Sequence, residues 1–358
     1  MASPANARPR RTAILGFGHV AEHGHLPAWL ARDDFRIVAV AEPDAGRRAV
    51  AAQRLPEATI YADAAALLAA ERLDAVDVAA PPALHAPLVI AAARAGCHVL
   101  CEKPLATTLA DFRAMRAATE AAGVVLCTVH NWKHSAQFTA LHQLLADGTV
   151  GHPRHIRLET IRAGRAVSVG SEWRGDAQVA GGGILVDHGW HAFYLLLGLA
   201  GERPRQVRAT IERRRDHGAS VEDTATCRID FPSLTGEIFL TWAGDARRTS
   251  WQVGGSEGSV TLADDRGAVE RSSGDRHELT FAGSLSEGSH HPDWFGAVID
   301  GFAAEIDEPA RRGRNLAEAE CCVLLTALAY DSGAQGGRPL PVPASLPASA
   351  APAEGGGA

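Results

Sequence analysis

The sequence predicts an α/β protein that begins with a doubly wound parallel sheet and continues into an α+β domain with a large, open, mainly antiparallel sheet. In residues 11–130, short apolar runs alternate with alanine-rich stretches of helical pattern, and such alternation is typical of βαβ units. Beyond them, segments of alternating apolar and polar residues follow one another without helices between them. That second pattern favours antiparallel strands.

Predicted strands alternate with predicted helices in residues 11–130. Apolar runs predict strands at 12–15, 35–41, 75–79, 98–101 and 124–129. Helical patterns lie between them, near 20–32, 45–54, 64–70, 84–95 and 109–122. This order predicts helices on both faces of a parallel sheet.

After residue 130 the strand–helix alternation gives way to several predicted strands in succession. Helices are predicted near 138–146, 184–199, 293–306 and 316–331, and strands at 154–162, 206–213, 225–231, 236–241, 251–253 and 259–262. We therefore expect one domain at 11–130 and another at 131–338, with the last helix packing back on the first domain. Residues 1–10 and 339–358 hold little to bury and are expected to be disordered tails.

Composition excludes several classes of partner. The 358 residues carry a formal net charge of -7 without a large basic stretch, which argues against nucleic acid. No apolar run approaches the ~18 residues of a membrane span. Six cysteines occur without a CxxC pair, so free, mostly buried thiols and a cytoplasmic location are expected.

A glycine-rich motif follows the first predicted strand and reads Gly16-Phe17-Gly18-His19-Val20-Ala21. In this G-x-G-x-x-A pattern the first glycine permits a tight turn, and the second lets the backbone approach a pyrophosphate. The small last residue allows the helix to pack closely on the strand. The motif alone is weak, but its position between a strand and a helix indicates a Rossmann dinucleotide site.

A carboxylate at the end of the second predicted strand bears on the choice of dinucleotide. Glu42 stands 24 residues after Gly18, where it would bind the adenosine ribose hydroxyls. A 2′-phosphate would meet its negative charge, so NAD is the expected cofactor. Arg47 and Arg48 are close enough in sequence to keep NADP open as an alternative.

Only two lysines, Lys103 and Lys133, stand among the 35 Lys and Arg residues. Lys103 lies in Cys101-Glu102-Lys103-Pro104 at the carboxyl end of the fifth predicted strand, and this edge of an open α/β sheet faces the ligand crevice. Pro104 biases Lys103 towards an extended conformation and admits a cis bond between them. Lys103 is therefore predicted where a nicotinamide and a substrate meet, with a surface lysine before a turn as the alternative.

A second candidate cluster follows the glycine run Gly181–Gly183, in the apolar helix predicted at 184–199. Asp187 and His191 are four residues apart and so share one helical face. A histidine whose pKa a carboxylate raises suits proton transfer near neutral pH, and a buried, satisfied pair is the alternative. A metal site with His188, His130 and His134 is a further alternative, but no spacing such as HExxH occurs, and no metal is predicted.

These residues together resemble the glucose–fructose oxidoreductase, inositol dehydrogenase and rhizopine-catabolism (Gfo/Idh/MocA) family. The resemblance extends over about residues 11–340 and rests on GFGHVA at 16–21, APPALH at 80–85, CEKP at 101–104, WR at 173–174 and GGGILVDHGWH at 181–191. Each piece is common by itself, whereas the combination in this order is specific.

The resemblance implies a role for each matched residue. Glu102 would contact the nicotinamide ribose, and Lys103 would hydrogen-bond the reacting hydroxyl. His191 would act as general acid and base, with Asp187 orienting it. The expected cofactor contacts are Gly16, Phe17, Gly18, His19, Val20, Glu42, Pro81, His85, Glu102, Lys103, Trp173 and Arg174, and the expected substrate contacts are Lys103, Asn131, Lys133, Asp187 and His191.

Two positions depart from the family pattern. The family often carries an Asp three residues after its histidine, where this chain has Tyr194. An Arg is common where this chain has Lys133. Both positions border the expected substrate pocket, so they bear on the identity of the substrate more than on the chemistry.

The function expected from these residues is hydride transfer between NAD and a secondary alcohol of a sugar, cyclitol or sugar derivative. His191 would remove the hydroxyl proton while Lys103 stabilises the developing alkoxide. Two alternatives stay open: a glycoside-processing enzyme that uses the same oxidation transiently, and a non-catalytic NAD-binding regulator. A homodimer or homotetramer through the open sheet is expected, because uncovered apolar sheet faces rarely stay in water.

Overall fold

The computed structural model of the chain describes residues 8–165, 173–215, 220–287 and 290–346. Its strands are β1 (Arg10–Leu15), β2 (Phe35–Ala41), β3 (Thr59–Tyr61), β4 (Ala75–Val78), β5 (His98–Cys101), β6 (Leu126–Thr128), β7 (Pro153–Ala163), β8 (Gln206–Glu212), β9 (Thr224–Asp230), β10 (Thr235–Thr241), β11 (Ala243–Gly255), β12 (Gly258–Ala263), β13 (Arg266–Arg271), β14 (Arg276–Thr280) and β15 (Leu340–Pro341). Its α-helices are α1 (Leu26–Leu30), α2 (Ala45–Arg54), α3 (Ala64–Ala70), α4 (His85–Arg94), α5 (Leu109–Ala122), α6 (Ala136–Ala146), α7 (Ala177–Ala180), α8 (Ile184–Asp187), α9 (Gly189–Ala200), α10 (Pro292–Asp307) and α11 (Arg314–Ala334).

The N-terminal sheet is parallel throughout, with its six strands in the order β3-β2-β1-β4-β5-β6. The reversal of strand order beside β1 is that of a doubly wound dinucleotide fold, which confirms the predicted fold class. The prediction missed β3, because this strand has only three residues, none of them fully buried, and therefore lacks a long apolar run.

Local capping explains why the helices of the first sheet could be placed from sequence. The side chain of Asp44 accepts a hydrogen bond from the Arg47 amide at the start of α2, and Thr108 accepts one from Asp111 at the start of α5. Such side chains satisfy amides that have no partner inside the helix. Gly123 then ends α5 with a positive φ of 68°.

The first helix differs from the continuous helix predicted at 20–32. A π-helical turn covers Ala21–His25, and the amide of Leu26 donates to the carbonyl of Ala21 before α1 begins. This wider turn admits one extra residue. The His25 side chain is buried at this point and bonds Asp77 of β4.

The second sheet has nine strands in the order β14-β13-β12-β11-β7-β10-β9-β8-β15. Its pairs are antiparallel except that of β7 with β10, which is parallel. The prediction of a mainly antiparallel sheet is therefore confirmed, and a purely antiparallel one would be wrong. Strands β13 and β14 were not predicted, because their residues are mostly charged and exposed.

The two faces of this sheet differ in polarity. One face buries apolar residues such as Leu158 of β7 and Ile238 of β10 against the side of α9. The open face carries an ion-pair network in which Arg157 contacts Glu159 and Glu237, and Arg228 contacts Glu237. The expectation of an uncovered apolar face is therefore wrong for this sheet, and subunit association needs another argument.

The described ends of the chain are more ordered than predicted. Arg10 already belongs to β1, and Leu340–Pro341 pairs with β8. Leu346 is buried, and its amide donates to Glu320 of α11. Helix α11 packs on β8 and α9 and also contacts β6 and α5, so it touches both sheets.

Two further expectations concern partners and thiols. None of the helices in the described ranges combines the length and apolar character that crossing a lipid bilayer requires. All six cysteines are buried free thiols, as predicted.

Candidate functional site

A cavity of about 960 Å³ opens at the carboxyl ends of the parallel strands and is lined by residues from both parts of the chain. It brings together most of the residues predicted to form the site, namely Gly16, Gly18, His19, Val20, Glu42, Pro81, Glu102, Lys103, Asn131, Trp173, Arg174, Asp187 and His191. Three predicted residues, Phe17, His85 and Lys133, do not line it.

The glycine-rich loop has the geometry that a dinucleotide needs. Gly16 has a φ of +92°, and a Cβ there would lie 2.8 Å from the carbonyl oxygen of Ala79, so only glycine fits. A Cβ on Gly18 would meet no atom within 4 Å, which leaves open space beside the backbone on the cavity wall. These residues therefore fit a bound pyrophosphate.

Glu42 holds the loop as well as lining the cavity. Its carboxylate accepts hydrogen bonds from the Phe17 amide at 2.7 Å and the Asp44 amide at 2.8 Å. The Phe17 side chain is fully buried, so this residue contributes its backbone to the loop. Arg47 is bound to Glu22 and to the Phe17 carbonyl oxygen, and Arg48 is bound to the carbonyl oxygens of residues 42 and 43.

His85 has a different role from the predicted cofactor contact. It is fully buried, and its two ring nitrogens lie 2.8 Å from the carbonyl oxygens of Ala80 and Pro104. Burial lowers the pKa of His85. The ring thus ties the loop after β4 to the Lys103-Pro104 segment, whose peptide bond is cis.

Lys103 reaches from β5 to the second part of the chain. Its Nζ donates to Asp187 Oδ1 at 2.8 Å and to the Asp187 carbonyl oxygen at 2.9 Å. Burial favours the neutral form of Asp187, but the charges of Lys103, His188 and Arg174 outweigh it and hold the pKa of Asp187 well below its ordinary value. Lys103 and Asp187 therefore meet as an ammonium and a carboxylate in the cavity wall.

The loop that carries Arg174 approaches the same carboxylate. Arg174 Nε lies 3.9 Å from Asp187 Oδ2, and the guanidinium stacks over Trp173 at 4.4 Å from the ring centroid. These contacts place Arg174 beside Asp187 and Trp173 beside Arg174 in the cavity wall.

The glycine run allows α8 to approach a buried carboxylate that sequence reasoning missed. Glu222 accepts hydrogen bonds from the amides of Gly183 and Leu185 and from the hydroxyl of Tyr330. A Cβ on Gly183 would lie 1.9 Å from the carbonyl oxygen of Glu222, which explains the glycine. Burial raises the pKa of Glu222. Glu222 thus fixes the N-terminus of the short helix that ends at Asp187.

The helix predicted at 184–199 is interrupted at His188, between α8 and α9. The Asp187 carbonyl oxygen, which would continue the helical pattern, instead accepts a bond from Lys103. As a result, the Asp187 carboxylate accepts a hydrogen bond from Lys103. No hydrogen bond joins Asp187 to His191 within the described ranges, where His191 instead contacts Tyr194. The predicted orientation of His191 by Asp187 is therefore wrong.

Tyr194 takes that role. His191 Nδ1 lies 2.7 Å from the Tyr194 hydroxyl, which also accepts a bond from the Trp132 amide at 3.1 Å. The His191 ring stacks on the Trp132 indole at a centroid distance of 5.0 Å. Burial and then the charge of Lys103 hold the pKa of His191 well below its ordinary value, contrary to the predicted rise. His191 is thus a neutral imidazole near pH 7.

A buried charge cluster lies beneath Glu102. His25 Nδ1 is 2.9 Å from Asp77, and its Nε2 is 2.8 Å from Glu102. Burial opposes charge on His25, but the two carboxylates outweigh it and raise its pKa to about 10. Glu102 also accepts a bond from the Lys103 amide. The imidazolium therefore fixes Glu102, and no sequence motif signals this contact between residues far apart in the chain.

Lys133 lies outside the cavity, which is a correction to its predicted substrate contact. Its Nζ binds Glu318 of α11 at 2.6 Å, and the same carboxylate accepts a bond from His130 Nδ1 at 2.7 Å. Burial opposes ionisation of Glu318, but His130 and Lys133 hold its pKa at about 2. Lys133 thus anchors the last helix. Asn131, two residues earlier, does line the cavity, and its buried Oδ1 has no hydrogen-bond partner among the described residues.

Residues suited to bind metals do not group together in the described part of the chain. There, no set of three or more His, Cys, Asp or Glu side chains is arranged to hold an ion. His188 Nδ1 instead lies 3.4 Å from Asp187, and burial holds its pKa near 3.

Comparisons with known proteins agree with this geometry. A model described as an oxidoreductase family with an NAD-binding Rossmann fold (GFO_IDH_MocA) matches residues 10–130. A model of the C-terminal domain of the same family matches residues 138–261.

The chain also aligns with parts of curated dehydrogenases. D-apiose dehydrogenase of Paraburkholderia graminis is 34% identical over 259 residues, which is 71% of this chain and 67% of that enzyme. D-glucoside 3-dehydrogenase of Escherichia coli (strain K12) is 32% identical over 201 residues, which is 55% of this chain and 56% of that enzyme. The matched segments thus span from about half to two thirds of these relatives.

Solved structures match over nearly the whole chain. An oxidoreductase from Agrobacterium radiobacter, crystallised with NAD+, L-tartaric acid and magnesium, has a TM-score of 0.83 and 22% sequence identity. The match covers 93% of this chain and 98% of that one. At this identity the likeness shows the fold alone.

Proposed function

The chain belongs to the Gfo/Idh/MocA oxidoreductase family, and from this premise we propose that it transfers a hydride between NAD and a secondary alcohol of a sugar, cyclitol or sugar derivative. One observation carries the proposal. Lys103 from the first sheet meets Asp187 from the second part of the chain in the cavity that Gly18 and His191 also line. An ammonium donor and a neutral imidazole thus share one cavity with a dinucleotide loop.

The groups around the cavity divide the chemistry between them. NAD, when bound, supplies the hydride acceptor. The ammonium of Lys103, held by Asp187 at 2.8 Å, stabilises the oxygen of the alcohol as negative charge develops on it. His191 is neutral because burial and Lys103 lower its pKa, so it accepts the hydroxyl proton.

The hydroxyl of Tyr194 fixes the tautomer of His191 that proton transfer through Nε2 requires. When His191 acts as base through Nε2, its Nδ1–H donates to the Tyr194 oxygen, 2.7 Å away. When His191 returns the proton from Nε2, it is an imidazolium whose Nδ1–H still donates to the Tyr194 oxygen, so the same contact serves both directions of the reaction.

We propose NAD as the preferred cofactor over NADP. Glu42 lies in the cavity wall with its carboxylate fixed by two amides, and a 2′-phosphate there would face its negative charge. Arg47 and Arg48, which could have neutralised such a phosphate, are engaged with Glu22 and with backbone carbonyl oxygens.

We further propose a homo-oligomer formed through the open sheet face and a cytoplasmic location. The charged network of Arg157, Arg228 and Glu237 gives this face groups of both signs, which a second copy can complement. The six free thiols suit a reducing compartment. Light scattering that gives the mass of a monomer, or recovery of the protein from an oxidising compartment, would contradict these proposals.

A substrate panel tests the proposed function. The purified protein is mixed with NAD or NADP and with sugars, cyclitols and sugar derivatives, and NADH formation is followed by its absorbance. Net NADH with at least one polyol is expected. Glycoside cleavage without net NADH would support transient oxidation instead, and binding of NAD without any turnover would support a regulator.

A further inference from the structure

The cavity contains a buried arginine that lacks a carboxylate partner. Arg162 lies on β7, is 4% exposed and lines the cavity. Its guanidinium donates to three neutral oxygens, the carbonyl oxygens of Ile161 and Arg248 and the hydroxyl of Thr249. Its Nε has no hydrogen-bond partner among the residues that the structure describes. No ion pair includes it within the described ranges. Burying a charge without a counter-ion is costly. A buried guanidinium without one therefore indicates that an anionic ligand binds there.

Other cationic side chains line the same end of the cavity as Arg162. Lys103, Arg174 and Arg247 line the same cavity, and the charges of Arg162, Lys103 and Arg247 all act on His188. Burial and then the charge of Arg247 lower the pKa of Arg162 to about 10, so these groups already repel one another. The carboxylates whose charges act on Arg162 are Asp264 and Asp187. Lys103 engages Asp187, and Asp264 accepts a hydrogen bond from the Thr249 amide.

The remaining carboxylate near the reacting groups is also compensated. Glu102 is paired with His25, which carries a proton because its pKa is raised to about 10. The glycine-rich loop that fits the pyrophosphate lies in the first part of the chain, whereas Arg162 belongs to the second sheet and acts on Asp187 and His188. The oxidised nicotinamide ring is itself a cation, so this end of a bound cofactor does not supply an anion for Arg162.

We propose, resting on the proposed function, that the substrate is an anionic sugar or cyclitol derivative whose carboxylate or phosphate is bound at the end of the cavity formed by Arg162, Arg174 and Arg247. A carboxylate and a phosphate each present two oxygens that can accept paired hydrogen bonds from one guanidinium. A second buried donor supports the same proposal. The indole Nε1–H of Trp242, also in the cavity wall, has no acceptor in the described part of the chain.

Matched sets of compounds test this proposal. Each set contains a neutral sugar, its uronate and its 6-phosphate, for example D-glucose, D-glucuronate and D-glucose 6-phosphate. Turnover is followed by NADH absorbance, and binding to the protein with saturating NAD is followed by calorimetry. We expect an anionic member to exceed its neutral parent by at least about tenfold in kcat/KM or affinity, with a loss of that advantage as salt is added. The better anionic member distinguishes carboxylate from phosphate.

Variants of one strand separate charge from folding. Arg162→Gln should raise the KM of the anionic compound about 10- to 100-fold and leave that of the neutral parent unchanged, whereas Arg162→Lys should keep most of the preference. Arg154→Gln, at an exposed position near the start of β7 and outside the cavity, is the matched control and should change neither. If Arg162→Gln fails to fold, the proposal is tested by two other results. Arg162→Lys should keep most of the preference for the anionic compound, and added salt should weaken that preference in the native protein.

Failure of this proposal is distinct from failure of the proposed function. Turnover of neutral compounds at least as good as that of their anionic partners would overturn the anionic substrate and leave the oxidoreductase intact. If no compound is turned over, calorimetry still decides, because equal affinity for neutral and anionic members would overturn the anion site.

Discussion

Removing one oxygen atom from Tyr194 tests how His191 is held. Tyr194→Phe keeps the buried ring but deletes the hydroxyl that lies 2.7 Å from His191 Nδ1 and 3.1 Å from the Trp132 amide. Two buried polar groups then lose their partner, and a buried unsatisfied group costs about 1–3 kcal/mol. We therefore expect the free energy of unfolding to fall by about 2 kcal/mol.

The same change should slow the chemistry. Without the hydroxyl, nothing selects the tautomer or ring orientation of His191, and a well-placed acid–base group contributes about 10²–10⁴ in rate. We expect kcat to fall about 10- to 100-fold while the affinity for NAD stays unchanged, because Tyr194 does not line the cavity that the glycine-rich loop borders.

Steady-state kinetics and calorimetry with NAD measure the two effects separately. Tyr61→Phe is the matched control, because its hydroxyl bonds Glu71 away from the cavity, and it should leave kcat unchanged. A Tyr194→Phe protein that is less stable but keeps kcat within twofold of the native value would refute the role assigned to Tyr194.

Three further predictions follow from the charges of the site. Because burial and Lys103 lower the pKa of His191, kcat/KM for alcohol oxidation should stay level from pH 8 down to about pH 6, and a decline centred on 6.5 would contradict this. His25 is protonated in the folded state up to a pKa of about 10, so its contribution to stability is complete below about pH 6.5 and is lost as the pH rises through 10. Melting temperatures measured across this range should fall more steeply for the native protein than for His25→Gln, and equal slopes would argue against the buried imidazolium. Glu42→Gln should reduce the preference for NAD over NADP at least about tenfold in kcat/KM, because the charge facing a 2′-phosphate is removed while the side chain keeps its length; an unchanged ratio would show that Glu42 does not select the cofactor.

Local signals were enough to place most of the first sheet and its cofactor loop. Asp44 and Thr108 cap helices within three residues, and Gly16 and Gly18 act through the backbone. These features depend on neighbours in the chain, so the sequence shows them directly. The pattern Cys101-Glu102-Lys103-Pro104 likewise places Lys103 at a strand end, where the structure has it.

Contacts between distant residues could not be read in the same way. The pairing of His25 with Asp77 joins residues 52 positions apart and has no motif. The break at His188 depends on Lys103 taking the Asp187 carbonyl oxygen, which only the folded chain shows. The family resemblance implies that Lys133 contacts the substrate, whereas in the folded chain its ammonium binds Glu318 on the last helix.

One missed residue had left a usable signal. Alternation along β7 puts Arg162 on the same face as Ile156, Leu158 and Thr160, all of which are buried. A charged residue on the buried face of a strand is unusual and indicates a ligand or a partner. The alternation that predicts the strand therefore also predicts that the side chain of Arg162 is buried.

The two lysines provide the most direct test of the central claim, that Lys103 stabilises the reacting oxygen. Kinetics and NAD calorimetry are compared for Lys103→Met and for the control Lys133→Met, which loses its pair with Glu318 outside the cavity. The account predicts that Lys103→Met binds NAD normally but loses about 10²–10³ in kcat, while Lys133→Met keeps its kcat. A Lys103→Met enzyme with near-normal kcat would contradict it.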